Sequence, residues 1–172
     1  LVLTTCLILS QSQVFAAAKL SHLVKEFVLN DTTVKQQRLS QYKRKWVFVN
    51  YWATWCPPCL EEVPDLVALY DSRKNKDVVV IGVVFDFDSE KEVFDYVDDM
   101  LMSYPIVLGD EDVKAQIGSA DALPTTYVYN PRGELVKIKR GLVTMARAMG
   151  NNVIFCHHQS WHMSCTYGLP NR

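Results

Sequence analysis

A buried strand followed at once by a pair of cysteines constrains the fold of this chain more than any other feature. Residues 46–52 read WVFVNYW, a run of β-branched and aromatic residues without alternation, which is typical of a strand buried on both faces. Cys56-Pro57-Pro58-Cys59 comes directly after it. Apolar residues then recur at helical spacing up to about Arg73, at Leu60, Val63, Leu66, Val67 and Tyr70. The sequence therefore predicts a strand, a turn that holds both cysteines, and a helix.

The predicted position of the two cysteines favours redox chemistry. Cys56 is expected at the helix N-terminus, where free backbone N–H groups and the helix dipole favour negative charge. Such surroundings lower the pKa of a thiol, and the thiolate is the nucleophile in disulfide exchange. Cys59 lies one turn further on, within reach of the same sulfur. We expect Cys56 to attack a substrate disulfide and Cys59 to resolve the mixed disulfide, which leaves a redox-active Cys56–Cys59 pair.

Two other interpretations of the cysteine pair are a structural zinc site and a purely structural disulfide. A structural zinc ion usually needs four ligands, and residues 23–155 contain two cysteines and no histidine. We therefore expect no metal at this motif. Trp55 and the two prolines at a strand-to-helix turn favour an exposed working site over a structural disulfide.

The remaining pattern predicts a mixed α/β sheet with parallel crossovers and an antiparallel hairpin at its end. The predicted strands lie in residues 26–39 (two short strands around a turn), 78–84, 106–108, 125–129 and 134–139. Ser89 with Glu92 forms a capping-box signature that opens a second helix. A third, short helix is predicted over residues 110–117, ended by Gly118.

Composition places the chain among ordinary globular proteins. Its 172 residues suit one domain with short extensions, and 49% of them are hydrophobic. The 18 basic and 19 acidic residues give a net charge of -1, which does not indicate a nucleic-acid partner. Five cysteines are too few for a small protein built on a disulfide framework.

Both ends of the chain differ from the middle, which we take as a domain over residues 19–150. Residues 1–18, LVLTTCLILSQSQVFAAA, carry no charged side chain and end in small residues, which predicts a secretory signal peptide with a truncated start. A membrane anchor is the alternative, although the polar residues 10–13 interrupt the apolar run. Membrane association would then occur through this N-terminal segment.

Residues 151–172 form an atypical tail for which we predict a poorly ordered terminus. The tail holds three of the four histidines of the chain, and it also holds Cys156 and Cys165. A metal site and a disulfide between these two cysteines are the alternatives. The spacing of these residues matches no familiar metal-finger pattern.

Residues 50–59, NYWATWCPPC, resemble the active-site stretch of the extracytoplasmic TlpA/ResA/DsbE-like thiol–disulfide oxidoreductases of the thioredoxin superfamily. Glu62 and Pro64 match that family's Cys-x-x-Glu-x-Pro continuation, and residues 123–126, LPTT, match its cis-proline loop. The resemblance covers about residues 25–143. It implies a thioredoxin-like fold with an N-terminal β-hairpin, a central helix–strand insertion, and a mixed sheet flanked by helices.

The resemblance also implies which residues meet the substrate. Pro124 is expected to be cis and to face the cysteine pair, with the backbone of Leu123 pairing with the substrate chain as an added strand. Trp55 and Pro57 are expected to contact the substrate as well.

A buried aspartate of thioredoxin is replaced here by Asn50, which cannot accept a proton from Cys59. Proteins of this family share that asparagine and carry an acidic residue elsewhere. We expect Asp88, or else Asp86, to be the catalytic proton acceptor for Cys59, through a carboxyl group whose pKa is raised.

The function implied by the resemblance is that of a periplasmic reductant of disulfides in exported proteins, for example in cytochrome c maturation. Electrons would come from a membrane thiol carrier, and no cofactor is expected. A disulfide-forming oxidant and a copper-binding chaperone are the alternatives. The family usually closes with an amphipathic helix, which residues 142–149 could begin but residue 151 onward does not continue.

Overall fold

A five-stranded sheet forms the centre of the structure, a computed structural model that describes residues 26–143, 154–159 and 162–167. Its strands are β3 (Trp46–Trp52), β4 (Val78–Val84), β5 (Ile106–Leu108), β6 (Thr125–Tyr129) and β7 (Leu135–Arg140). Their spatial order is β5-β4-β3-β6-β7. Strands β3, β4 and β5 are parallel, whereas β6 is antiparallel to β3 and β7 is antiparallel to β6. The predicted mixed sheet with a terminal hairpin is confirmed.

Three α-helices connect these strands, namely α1 (Pro57–Arg73), α2 (Glu90–Asp99) and α3 (Glu111–Ile117). Ser89 caps α2 by accepting the N–H of Glu92 at 3.2 Å. Asp110 caps α3 in the same way, with the N–H of Val113 at 2.8 Å. These caps satisfy N–H groups that a helix N-terminus leaves without partners. The predicted cap at Ser89 therefore marks the start of α2, whereas Asp110, predicted as the first residue of α3, is its capping residue.

The predicted N-terminal hairpin precedes the sheet. Strands β1 (Val28–Asn30) and β2 (Gln36–Arg38) pair antiparallel with each other. The Asp31 carboxylate holds the turn between them, because it accepts the N–H groups of Thr33 at 2.9 Å and Lys35 at 3.0 Å. A short 3-10 helix then leads into β3.

The sheet separates two apolar layers, and alternate residues of β3 point into each of them. The layer under α1 and α2 contains Phe48, Trp52, Cys59, Val63, Leu66 and Val93. The layer under the hairpin and α3 contains Phe27, Leu29, Val47, Val49, Val113 and Ile117. Because helices or a hairpin cover both faces, β3 reads as a continuous apolar run.

Three predicted boundaries differ by a residue, since β7 spans Leu135–Arg140 where residues 134–139 were predicted and α3 begins at Glu111 where residue 110 was predicted. Glu134 belongs to the preceding turn. Its N–H donates to Asn130 Oδ1 at 3.0 Å, and its carboxylate accepts Asn130 Nδ2 at 2.7 Å. These bonds hold the residue in the turn and keep it out of the strand.

Two further strands, β8 (Ile154–Gln159) and β9 (His162–Tyr167), pair antiparallel in a separate sheet. The predicted irregular tail did not include them, although residues 162–167 alternate polar and apolar types. Their register places Cys156 opposite Cys165. The predicted leader and the candidate final helix lie outside the described residues. Within the described ranges, no helix has the length and apolar character that crossing a membrane requires.

Candidate active site

The two cysteines lie where β3 passes into α1. Cys56 immediately precedes the helix and Cys59 is its third residue, as the spacing predicted. The two sulfur atoms form a disulfide, and the two Cα atoms are 5.3 Å apart. Cys56 is 3% exposed and Cys59 is 0% exposed. An incoming disulfide therefore reaches Cys56 first, which favours Cys56 as the nucleophile.

The turn that holds the cysteines is short of backbone donors. The N–H groups of Cys59 and Leu60 donate to the carbonyl of Cys56 at 3.0 and 3.2 Å. Pro57 and Pro58 fill the first two helical positions and have no N–H. Two of the amide donors that a helix N-terminus normally presents are therefore missing beside the Cys56 sulfur.

A buried carboxyl group, Glu62, lies one helical turn after Cys59. Residues three apart on a helix are neighbours on one face, and both Cys59 and Glu62 are 0% exposed. The Glu62 carboxylate accepts Asn50 Nδ2 at 2.6 Å and the N–H of Val143 at 2.8 Å. Asn50 Nδ2 also donates to Thr126 Oγ1 at 3.1 Å. Glu62 is thus fixed inside the protein beside the resolving cysteine.

Burial raises the pKa of Glu62 to about 7, from an ordinary value of 4.5. The hydrogen bonds from Val143 and Asn50 act in the opposite direction, because they stabilise the charged form. The negative charge of Asp65 raises the pKa further, and Lys139 lowers it. A carboxyl group that titrates near neutral pH can accept and release a proton under working conditions.

The expectation for Asp88 stays a prediction, and Glu62 is a second candidate for the same role. Asp88 and Asp86 are both exposed, and the backbone N–H of Asp88 donates to the Glu92 carboxylate at 3.2 Å. Burial is what raises a carboxyl pKa, and the buried carboxyl beside Cys59 is that of Glu62. The sequence carried a signal for it, because position 62 falls on the same helical face as Cys59 and Leu66.

Three of the four predicted substrate residues, Trp55, Pro57 and Leu123, line a groove of about 490 Å³ that opens beside Cys56. Its walls include Trp55, Cys56, Pro57, Pro58, Phe85, Asp86, Lys114 and residues 120–123. The Leu123–Pro124 peptide bond is cis, as the resemblance implied. Leu123 lines the groove, whereas Pro124 is buried and is not among the lining residues. Lys114 was not predicted; its Nζ lies 4.7 Å from the centre of the Phe85 ring.

A second groove of about 480 Å³ is lined by Trp55, Asp86, Asp88 and Glu92, so it shares Trp55 and Asp86 with the first. Trp55 is 59% exposed, and its indole N–H donates to the carbonyl of Asp86 at 2.7 Å. That hydrogen bond holds a large apolar surface in place at the mouth of the site. Tryptophan in such a position contributes strongly to protein–protein contacts.

We expect Trp55→Ala to raise the KM for a polypeptide disulfide about tenfold while kcat changes little. The indole contacts substrate in this interpretation but takes no part in bond breaking. Steady-state kinetics at a series of substrate concentrations would measure both constants. Val34→Ala is a suitable control, since Val34 is 84% exposed and lines neither groove. A variant with wild-type KM would exclude Trp55 from the substrate contact.

The described side chains do not form a metal site, since none of them group as three or more His, Cys, Asp or Glu residues able to hold an ion. The histidine and cysteine side chains of the tail lie outside this description. The reactive groups gathered at the start of α1 are the two sulfur atoms of Cys56 and Cys59 and the carboxyl group of Glu62.

Comparison with known proteins agrees with this geometry. The family model described as the AhpC/TSA family matches residues 20–138. The thiol-disulfide oxidoreductase ResA of Bacillus subtilis is 35% identical over 118 residues, which are 69% of this chain and 65% of that protein. ResA of Geobacillus kaustophilus is 33% identical over 119 residues, 69% of this chain and 68% of that protein. The chain thus matches about two thirds of the length of these relatives.

A solved structure gives the same result for the fold. The exposed lipoprotein thioredoxin Etrx1 of Streptococcus pneumoniae superposes with a TM-score of 0.57 at 28% identity, covering 68% of this chain and 90% of that one. The thioredoxin-like fold is confirmed. With its cysteine pair at the start of α1, the chain belongs to the AhpC/TSA family, on the thioredoxin-like side that includes the ResA thiol-disulfide oxidoreductases.

Proposed function

We propose that this protein is a thiol–disulfide oxidoreductase that reduces protein disulfides outside the cytoplasm. The observation that carries the proposal is the pair of prolines at the start of α1, together with the buried Glu62 beside Cys59. Both features bear on which redox state of the cysteine pair is favoured.

In the reduced protein, the Cys56 thiolate attacks a substrate disulfide and releases one substrate thiolate. Cys59 passes its proton to the Glu62 carboxylate and attacks the Cys56 sulfur of the mixed disulfide. The Cys56–Cys59 bond forms, and the second substrate sulfur leaves with its electron pair. The substrate gains two electrons and the enzyme ends in the disulfide form.

The direction of electron flow follows from what stabilises the thiolates. A cysteine pair is a strong oxidant when its reduced form is stabilised. Pro57 and Pro58 remove two amide donors that would otherwise stabilise a Cys56 thiolate. The negative charge of Glu62 disfavours a thiolate at Cys59. Both effects destabilise the reduced pair, so it gives up its electrons readily.

The partners we propose are exported proteins that carry disulfides, including those formed at haem-attachment cysteines during cytochrome c maturation, and a membrane thiol carrier as electron donor. The leader-like residues 1–18 support a location outside the cytoplasm. In an oxidising compartment, redox-active thiols need an electron donor that returns them to the reduced form. The groove of about 490 Å³ beside Cys56 is where we expect a segment of the substrate to bind.

The reduction potential of the cysteine pair tests this proposal. We expect about -220 mV or lower, towards the roughly -270 mV of thioredoxin. Equilibration with a dithiol buffer followed by thiol alkylation would give the value. A potential near about -120 mV would mark a strong oxidant and reverse the proposed direction.

The double variant Pro57→Ala/Pro58→Ala tests the physical reason. It restores two N–H donors at the helix start, so we expect the potential to rise by at least about 30 mV, equivalent to about 1.4 kcal/mol for a two-electron couple. Measurement of the Cys56 thiol pKa in the same variant should show a decrease. An unchanged potential would mean that the prolines do not set the redox balance.

A further inference from the structure

One positively charged side chain lies in the groove beside Cys56. Lys114 of α3 lines that groove, and its Nζ rests over the Phe85 ring at 4.7 Å from the ring centre. Among the residues that line the two described grooves, Lys114 alone carries a positive charge, and the other charged residues are carboxylates. The proposed exchange steps do not involve this charge. Its contact would therefore be with a part of the substrate outside the disulfide.

Packing and a backbone hydrogen bond hold Lys114 at the groove wall. The Phe85 ring fits against Gly109, where an added Cβ would lie 2.2 Å from a ring carbon, and its centre is 5.5 Å from that of the Tyr51 ring. The N–H of Lys114 donates to the carbonyl of Asp110 at 3.1 Å. A cation over an aromatic face is attracted to it. The ammonium group is thus kept beside the Phe85 ring and within the groove.

The ion pair of Lys114 can exchange its partner. Its Nζ lies 2.6 Å from Glu111 Oε1, about one turn earlier on α3. The Glu111 side chain is 87% exposed, whereas that of Lys114 is 34% exposed. Solvent and salt screen an ion pair with so exposed a partner, and such pairs stabilise a protein little. A carboxylate that a substrate brings into the groove can therefore displace Glu111 from the ammonium group.

Two carboxylates in the same groove oppose this attraction. Asp86 and Asp121 both line it, and both are exposed. Asp121 also accepts Ser119 Oγ at 3.4 Å. Charges in full contact with water interact weakly over a distance, whereas a half-buried cation on an aromatic ring keeps more of its attraction. The balance at the groove wall therefore favours a negative group on the substrate.

We propose that Lys114 determines which protein disulfides react best, by binding an aspartate or glutamate of the substrate within two residues of the reacting cysteine. Successive residues of an extended segment are about 3.3 Å apart, so these positions lie within about 7 Å of that cysteine. This inference rests on the proposed function, because it names the class of disulfide that the same site takes. Lys114 contributes to binding and takes no part in the exchange of sulfur bonds.

The first measurement compares the rates at which the wild type reduces peptide disulfides with blocked ends. One peptide has glutamine at the four positions within two residues of the cysteine, and four others have glutamate at one of these positions each. We expect kcat/KM at low ionic strength to be about fivefold higher for at least one glutamate peptide, the upper end for a charge pair near the surface. At about 0.5 M salt the ratio should fall towards one, because the Debye length shortens.

Substitutions of Lys114 test its part in this preference. Lys114→Met retains the aliphatic stem and removes the charge, so the preference for glutamate should disappear. Lys114→Arg retains the charge and the contact with an aromatic face, so it should retain the preference. Lys91→Met is the matched control, because Lys91 pairs with Asp95 at 2.6 Å on α2 and lines neither groove. This control should show the wild-type ratio.

Glu111→Gln tests the exchange of partners without changing Lys114. It removes the competing carboxylate, so the preference for glutamate should rise by about twofold. A wild-type ratio near one for all four glutamate peptides, or a wild-type ratio in Lys114→Met, would overturn the inference. Faster reduction of a peptide with lysine at these positions would assign the selection to Asp86 and Asp121 and overturn it as well.

The second measurement needs no turnover. Peptides with serine in place of the cysteine bind the oxidised full chain without reacting, and an NMR titration of the backbone amides gives each Kd. At least one glutamate peptide should bind about fivefold more tightly than the glutamine peptide. Equal affinities together with reductase activity would overturn this inference alone. Selective binding without reductase activity would overturn the proposed function, whereas the charge contact at Lys114 would stand.

Discussion

Replacing Cys59 with serine is expected to stop turnover and to trap the substrate covalently on Cys56. The serine hydroxyl cannot displace the substrate sulfur, so the mixed disulfide persists. We expect disulfide reduction to fall by about three orders of magnitude or more, as happens when a nucleophile of a catalytic unit is removed. Mass spectrometry of the variant after mixing with a disulfide peptide would show the adduct.

Cys56→Ser is the control for this experiment. Because Cys56 is the more accessible of the two cysteines, its replacement should abolish both turnover and adduct formation. An adduct on Cys56→Ser together with none on Cys59→Ser would exchange the assigned roles of the two residues.

Replacing Glu62 with glutamine is expected to flatten the pH dependence of stability between about pH 4.5 and 7. In the folded protein the Glu62 pKa is raised from 4.5 to about 7. Within this window the folded state binds more protons than the unfolded state, so the free energy of unfolding falls as pH rises. The raised pKa corresponds to about 3 kcal/mol in the free energy of unfolding. This contribution is fully present below pH 4.5 and is lost once the pH has risen above 7.

Urea unfolding of the oxidised protein at pH 4.5 and pH 8 would measure this difference. Glu62→Gln should remove most of it, although the amide cannot accept from both Asn50 and Val143 in the same way. Asp88→Asn, an exposed carboxyl, should leave the wild-type difference intact. If Asp88→Asn flattened the profile and Glu62→Gln did not, the assignment of the buried carboxyl would be wrong.

Much of the fold was predictable because its signals are local. The apolar run of β3, the cysteine motif and the cap at Ser89 each lie within a few residues of the boundary that they predict. The cysteine pair could be placed for the same reason, since a strand followed by a helix leaves little choice for the turn between them.

The role of Glu62 was harder to predict because its surroundings come from distant parts of the chain. Its two hydrogen-bond partners, Asn50 and Val143, are 12 and 81 residues away. The helical pattern drawn through Leu60 and Tyr70 also differs from the buried face, which is formed by Cys59, Glu62, Val63, Leu66 and Leu69. With the helical face placed as the sequence pattern suggested, an acidic residue at position 62 is predicted to lie on the solvent-exposed side of the helix.

The surface position of Asp88 was also hard to predict from the sequence. Its position after the buried strand β4 was the reason for expecting a carboxyl near Cys59. The backbone of Asp86 adopts a left-handed conformation, with φ of 54°, and the following segment lies on the surface. A single residue in the left-handed conformation changes the direction of the chain, and the residue types in that segment do not predict it.

The hydrogen bond from Val143 to Glu62 ties the end of the central fold to the redox chemistry. The N–H of Val143 stabilises the carboxylate, so protonation of Glu62 weakens its hold on this part of the backbone. By thermodynamic linkage, the coupling is reciprocal. A contact that holds or displaces the backbone at Val143 therefore changes the proton affinity of Glu62. Protonation of Glu62 during turnover changes the stability of that backbone position by the same coupling free energy.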